Sequence, residues 1–305
     1  MLTVSNYHYI RDNFETKFPS IFGVTPVFFR QQLLLLQETG TFIHPNDLIN
    51  NLDEILKSEQ NYILITFDDG LKEQYDVALP ILTELNIPAV FFINTINHIE
   101  EKVSLVHKIH LVRSVVSTVV LHEKLVDFTG KKLTSHEVKN AHEFYRFDDN
   151  LSAEFKFFLN FLLDYEIQEK FINAIFLAYF DEYEVLEKLY MKTDEIKKLI
   201  KQGFVGSHAH SHSPLGLFNL ETIRHELTIS KSYLESLGNA TIAFISYPYG
   251  TKEAVTGAVA EIAKEVGYEL GFTTKVGINT IENNLLLLNR FDSNDVIGGK
   301  NHKIK

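Results

Sequence analysis

Three short segments hold side chains of a kind and spacing suited to hydrolytic chemistry. Thr66-Phe67-Asp68-Asp69-Gly70 sets two adjacent acids at the end of an apolar run. Buried carboxylates are costly unless they are paired or bind a metal. Asp-Gly turn chemistry, with one aspartate capping the following helix, is the plainer alternative. Gly206-Ser-His208-Ala-His210-Ser-His212-Ser-Pro214 carries three of the chain's 13 histidines. Imidazole is a common ligand for zinc-like metals. His208 and His212, four apart, share a face if the turn is helical, and His210 then points elsewhere. An extended segment would align all three, and a solvated polar loop would use none. One aspartate and two histidines leave positions open on a metal, as a catalytic site requires. Ser246-Tyr247-Pro248-Tyr249-Gly250 is by itself a tight turn, in which Tyr249 can present a backbone N–H.

The elements that must position these residues alternate strand and helix. Leu2 and Val4 alternate with Thr3 and Ser5, which reads as a strand, and Tyr7-His8-Tyr9 follows it. Pro26 opens a helical stretch that closes near Gly40. Thr41–Ile43 is a short strand, and Asn46–Lys57 has helical apolar spacing. Tyr62–Phe67 is apolar on both faces, as in a buried parallel sheet. A helix over Leu71–Leu85 and a strand over Ile87–Ile93 complete a β-α-β pattern.

Between residues 97 and 190 glycine nearly vanishes, and Phe155, Phe158, Leu159, Leu162 and Leu163 sit at helical spacing. We expect one domain over residues 1–305, with an α-rich insertion at 97–190 that covers one side of the site. Alternation then resumes through strands at Phe204–Ser207, Thr241–Tyr247, Glu269–Thr273 and Leu285–Phe291. Helices are expected over Lys192–Gln202, Leu220–Leu237 and Lys252–Val266. Seven or eight strand signals are enough for a barrel.

Composition narrows the classes. The chain has 305 residues, 45% of them hydrophobic, with 24 phenylalanines, so it can build a large core. With no cysteine, it has no disulfide scaffold, thiol nucleophile or Cys-ligated zinc. The formal charge of −11 disfavours nucleic acid and anionic membrane as partners. No segment approaches the roughly 20 apolar residues of a membrane span. The start, MLTVSNYHYIRD, does not read as a signal peptide, so a cytoplasmic location is expected unless a leader has been removed. Oligomeric state is not legible.

Taken together, the three segments resemble those of the NodB-type polysaccharide deacetylases, carbohydrate esterase family four. The acid-pair motif TFDDG, the H-x-x-x-H motif and the strand ending in P-Y-G come in the family's order. The resemblance extends over residues 1–95 and 190–295. It implies a distorted α/β barrel, (β/α) in repeat, and a metal-dependent N-deacetylase. The implied metal ligands are Asp69, His208 and His212. Asp68 would be the general base, and Tyr249, set by Pro248, would offer its N–H to the oxyanion. Zinc is the metal expected, though cobalt, nickel or iron suits the same ligands. The implied substrate is an N-acetylated amino sugar, in surface-polysaccharide biosynthesis or modification. Two alternatives stay open: a related hydrolase of an N-formyl or non-sugar amide, and a catalytically silent carbohydrate-binding protein.

Two departures from the family pattern shape the expected site. The family's arginine two residues before the proline is Ser246 here, and Arg290 and Arg11 are the candidates to replace it beside Asp68. No catalytic histidine follows Leu285–Leu288, since the only later one is His302 in a polar tail. The FISYPYG segment resembles a branch with F-A-Y-P-Y-G, which includes biofilm poly-N-acetylglucosamine deacetylases. In that branch an N-terminal YH motif takes the late histidine's place. His8 is therefore the expected general acid, since a closed barrel sets its first and last strands side by side. His210 is assigned a supporting place, behind the ligands or as a spare one.

Overall fold

A computed structural model of the protein describes residues 1–13, 15–19, 23–146 and 148–302. The chain divides into two compact units. The first comprises Met1–Asn13, Phe22–Lys102 and Leu186–Lys305. The second comprises Phe14–Ile21 and Val103–Val185. Among the described residues, no helix is long and apolar enough to cross a membrane.

The first unit is a distorted α/β barrel, a curled sheet of parallel strands with helices packed outside. Its strands are β1 (Leu2–Tyr7), β2 (Thr41–Phe42), β3 (Tyr62–Phe67), β4 (Ala89–Ile93), β5 (Val205–Ser207), β6 (Phe244–Ser246), β7 (Leu270–Phe272) and β8 (Phe291–Asp292). The order is β7-β6-β5-β4-β3-β1-β8. On one edge β3 pairs with β1 along its whole length, from Leu2↔Tyr62 to Tyr7↔Phe67. β2 pairs with β3 at Tyr62 and Ile63, and β4 pairs with it at Ile65–Phe67.

Strand alternation sorts the apolar residues into two layers. Leu2, Val4, Leu64, Val90, Phe92, Phe244, Leu270, Phe272 and Leu288 pack together inside the curl. Ile63, Ile65, Phe67, Phe91, Ile93 and Ile245 face outward, onto Phe29, Leu33, Leu82, Leu199, Leu227 and Val259 from the helices. Inside, Phe92 fills the space beside Gly206, where a Cβ would lie 2.4 Å from its ring. Glycine at 206 is thus what lets a phenylalanine occupy the barrel centre.

Several element boundaries differ from the sequence reading. The run from Leu285 to Phe291 is not a continuous strand. Leu288 makes a single parallel bridge to Phe272, and only Phe291–Asp292 forms β8 beside β1. Gly271 N donates to Leu285 O at 2.9 Å, and Ser293 N donates to Asn6 O at 3.1 Å. This irregular segment therefore links the β7 edge to the β1 edge, and Arg290 precedes the last strand instead of ending it. Leu71–Leu85 is helical but widens into a π-helix at Gln74–Ala78 before Leu79–Glu84. Asn46–Lys57 is two short helices, Pro45–Asn50 and Leu52–Lys57, broken at Asn51. The helix expected over Lys252–Val266 begins at Gly257.

The second unit is helical. Its helices include Leu105–Val115, Thr118–Thr129, Ser135–Phe144, Asn150–Phe157 and Tyr165–Tyr179. Local caps start three of them. Ser117 accepts from Val120 N, Asp149 accepts from Ser152 N, and Thr134 forms a reciprocal capping box with Glu137. Leu121, Leu125, Phe155, Phe158, Phe171, Ile172 and Phe176 are buried.

Candidate active site

The chemically distinctive residues gather where the barrel strands end. Asp68 and Asp69 follow β3, His208 follows β5, Tyr249 follows β6 and His8 follows β1. In parallel α/β folds ligands bind at the carboxyl ends of the strands.

Backbone strain concentrates in the same segments. Among the described residues, Asp69, Ala209, His212 and Tyr249 hold φ of +80°, +56°, +59° and +62°. Such conformations cost roughly 1–3 kcal/mol each for ordinary side chains and persist where surrounding structure imposes them. Here the imposition is visible. Asn94 Nδ2 donates to His208 O at 2.5 Å, and Gln74 Nε2 donates to Asp68 O at 2.5 Å.

Asp69, His208 and His212 form a buried group whose ligand atoms lie within 4.8 Å of one another. Nε2 of His208 is 3.5 Å and Nε2 of His212 is 3.2 Å from Asp69 Oδ1. His208 Nδ1 lies 2.7 Å from the Ser246 carbonyl oxygen. A carbonyl only accepts, so Nδ1 carries the proton and Nε2 keeps its lone pair toward the group. The His208 and His212 rings meet edge to face at 4.9 Å, and Tyr249 meets His212 in the same way at 5.2 Å. Two imidazole nitrogens and a carboxylate oxygen, buried and convergent, fit a divalent metal of the zinc class.

Beside this group lies a second, separately held carboxylate. Arg290 Nη1 donates to Asp68 Oδ1 at 2.9 Å, and Nη2 donates to Oδ2 at 2.8 Å. Arg290 Nε is anchored on Thr273 O at 3.0 Å. Burial pushes the Asp68 carboxyl up, but the charge and hydrogen bonds of the Arg290 guanidinium outweigh it. The net effect holds the group well below the usual carboxylate range, so Asp68 is ionised. His8 Nε2 lies 3.9 Å from Asp68 Oδ2, with 41% of its side chain open to solvent. Asn6, which nothing in the sequence had singled out, donates from Nδ2 to Asp68 Oδ2 at 3.0 Å.

Two of the supporting residues sit elsewhere. Arg11 pairs with Glu73 and packs over the Tyr9 ring, so of the two arginines only Arg290 reaches Asp68. His210 turns away from the ligand group. Its Nδ1 is 2.9 Å from Thr95 Oγ1, and its Nε2 donates to Glu100 Oε1 at 2.9 Å. Glu226 Oε2 accepts from His210 N and Ser211 N, tying this loop to the helix Leu220–Gly238. Pro248 is buried and Tyr249 is exposed, with Gly250 at φ +59° completing the turn.

The sequence profile of the polysaccharide deacetylase family matches residues 56–144 and 135–271. The chain belongs to that family, and its class is carbohydrate deacetylase. The fold is similar to that of the Streptococcus pyogenes deacetylase PplD, solved in complex with acetate, at TM-score 0.59 and 19% identity over 95% of this chain and 91% of that one. It is also similar to IcaB from Ammonifex degensii, at TM-score 0.55 and 17% identity over 95% and 90% of the two chains. The BpsB deacetylase domain from Bordetella bronchiseptica matches at TM-score 0.54 and 16% identity, over 95% of each chain. No curated protein matches the chain.

Proposed function

We propose that the protein is a metal-dependent hydrolase that removes an N-acetyl group from an amino sugar of a glycan or glycan precursor. The observation that carries this reading is the pairing of two carboxylates with opposite fates. Asp69 faces two imidazoles, while Asp68 is clamped by Arg290. Asp69, His208 and His212 would hold the ion, with zinc the natural occupant. When bound, such an ion supplies Lewis-acid chemistry, polarising an acyl carbonyl and making a neighbouring water more acidic.

The chain's own residues do the rest. Asp68 takes the proton of the attacking water as its oxygen bonds to the carbonyl carbon. The Tyr249 N–H donates to the oxyanion that develops. His8 protonates the amine nitrogen as the carbon–nitrogen bond breaks, releasing acetate and a free amine. The acetate in the PplD complex, a product-sized acid, agrees with the acyl group chosen.

The test is acetate release from N-acetylglucosamine oligomers by the wild-type chain, Asp68→Asn and His8→Gln. The wild type should turn over, Asp68→Asn should lose several orders of magnitude in kcat, and His8→Gln should lose about 100-fold or more. N-formyl oligomers assayed in parallel decide the acyl group. Preference for formyl would replace the acetyl reading. Turnover of neither amide, with glycan still bound, would favour a silent binding protein.

A further inference from the structure

Asn6 and Thr66 are direct partners in the β1–β3 ladder. Both are buried, and both belong to the alternate set that includes Val4 and Leu64 inside the curl. The Thr66 hydroxyl lies 2.9 Å from the Ser5 carbonyl and 3.2 Å from Asn6 Oδ1. An ionised carboxylate only accepts, so the end of Asn6 that shares the single Thr66 hydroxyl proton with Ser5 O is its amide oxygen, and its NH2 end faces Asp68. There Nδ2 meets Asp68 Oδ2 at 3.0 Å.

An ionised carboxylate has two acceptor sites on each oxygen. Oδ2 of Asp68 receives both Asn6 and Arg290, at 3.0 and 2.8 Å. Oδ1 receives Arg290 alone, at 2.9 Å, among the described residues. We propose that Asn6 is a positioning residue, oriented by Thr66, which fills the second site of Asp68 Oδ2 and so leaves Oδ1 as the oxygen that accepts the proton of the attacking water. This rests on Asp68 acting as the base.

Steady-state kinetics of the full chain with metal loaded tests it, with metal content and melting temperature measured on every variant. Asn6→Ala should lower kcat by about 10- to 100-fold, the range for losing an outer partner of a catalytic group. KM should stay within about twofold, with metal content unchanged. Thr66→Val removes the hydroxyl at constant shape and should lower kcat in the same direction, while Thr66→Ser restores it. Combining Asn6→Ala with Thr66→Val should cost no more than Asn6→Ala alone, because the two act as one relay. Wild-type kcat in folded Asn6→Ala would overturn the proposal, as would a loss matched by lost metal. If Asn6→Ala does not fold, Thr66→Val and Thr66→Ser decide, and equal kcat in the two rejects the relay. Asp68→Asn separates the two levels. Should it keep full activity, the assignment of the base fails; should it be inactive while Asn6→Ala is normal, only the role of Asn6 fails.

Discussion

Arg290 grips both oxygens of Asp68, at 2.9 and 2.8 Å, across 222 positions of sequence. Both side chains are buried. The segment that carries Arg290 also joins the β7 edge of the sheet to the β1 edge. Closing the barrel and charging the candidate base are thus done by the same stretch of chain.

Removing that arginine should be costly in two ways. Arg290→Ala strands a buried carboxylate and should destabilise the protein by about 3–5 kcal/mol, read from the urea midpoint. Arg290→Lys keeps the charge but not the planar fork. It should recover much of the stability and little of kcat. Equal stability of Arg290→Ala and wild type would show that the pair is not sustained in solution.

The histidines of the second motif should separate by function. His208→Ala and His212→Ala should abolish stoichiometric metal binding. His210→Ala should retain it with affinity about 10- to 100-fold weaker, because His210 holds the loop through Thr95 and Glu100. Metal analysis by mass spectrometry and competition with a chromogenic chelator would measure this. Complete loss of metal in His210→Ala would instead make it a ligand.

Gly250 sets the turn that presents Tyr249. Its φ is +59°, and a Cβ there would lie 2.7 Å from Thr274 N, a backbone atom that cannot swing away. Gly250→Ala should cost about 1–3 kcal/mol and lower kcat by displacing the Tyr249 N–H. Thermal melting and kcat check both, and unchanged values would free the turn of this constraint.

Acid should destabilise the barrel through His98, which burial pushes down from 6.5 to about 4. The unfolded chain protonates this imidazole below 6.5, and the folded chain does so only near 4. Between those values the unfolded state binds more protons, so stability falls as pH falls. His98→Phe keeps a ring for the stack on Tyr233 and removes the titration. Its advantage over wild type should grow from pH 7 to 4.5, approaching an order of 3 kcal/mol at the bottom of the window. A constant difference in urea midpoint across that range would contradict it.

How far the sequence announces this site depends on the range of each interaction. Asp68, Asp69, His208 and His212 lie in contiguous motifs at strand ends, so local pattern suffices to find them. The Arg290–Asp68 pair requires the barrel to close, and the segment from Leu285 carries no regular strand pattern to place it. Asn6 is one polar residue in a short strand, and only the β1–β3 register sets it against Thr66. The partners of His210 come from the segment after β4, Thr95 and Glu100, and from the helix Leu220–Gly238. The π-widening at Gln74–Ala78 has no signature in helical periodicity. It occurs in the helix whose Gln74 holds the backbone of Asp68 and His8.

The most direct test of the account is acetate release from N-acetylglucosamine oligomers before chelation, after chelation and after one equivalent of zinc, in wild type and Asp69→Ala. The wild type should lose activity with its metal and regain it with zinc, while Asp69→Ala stays folded, metal-free and inactive throughout. Full activity in the chelated wild type, or in folded and metal-free Asp69→Ala, would contradict it.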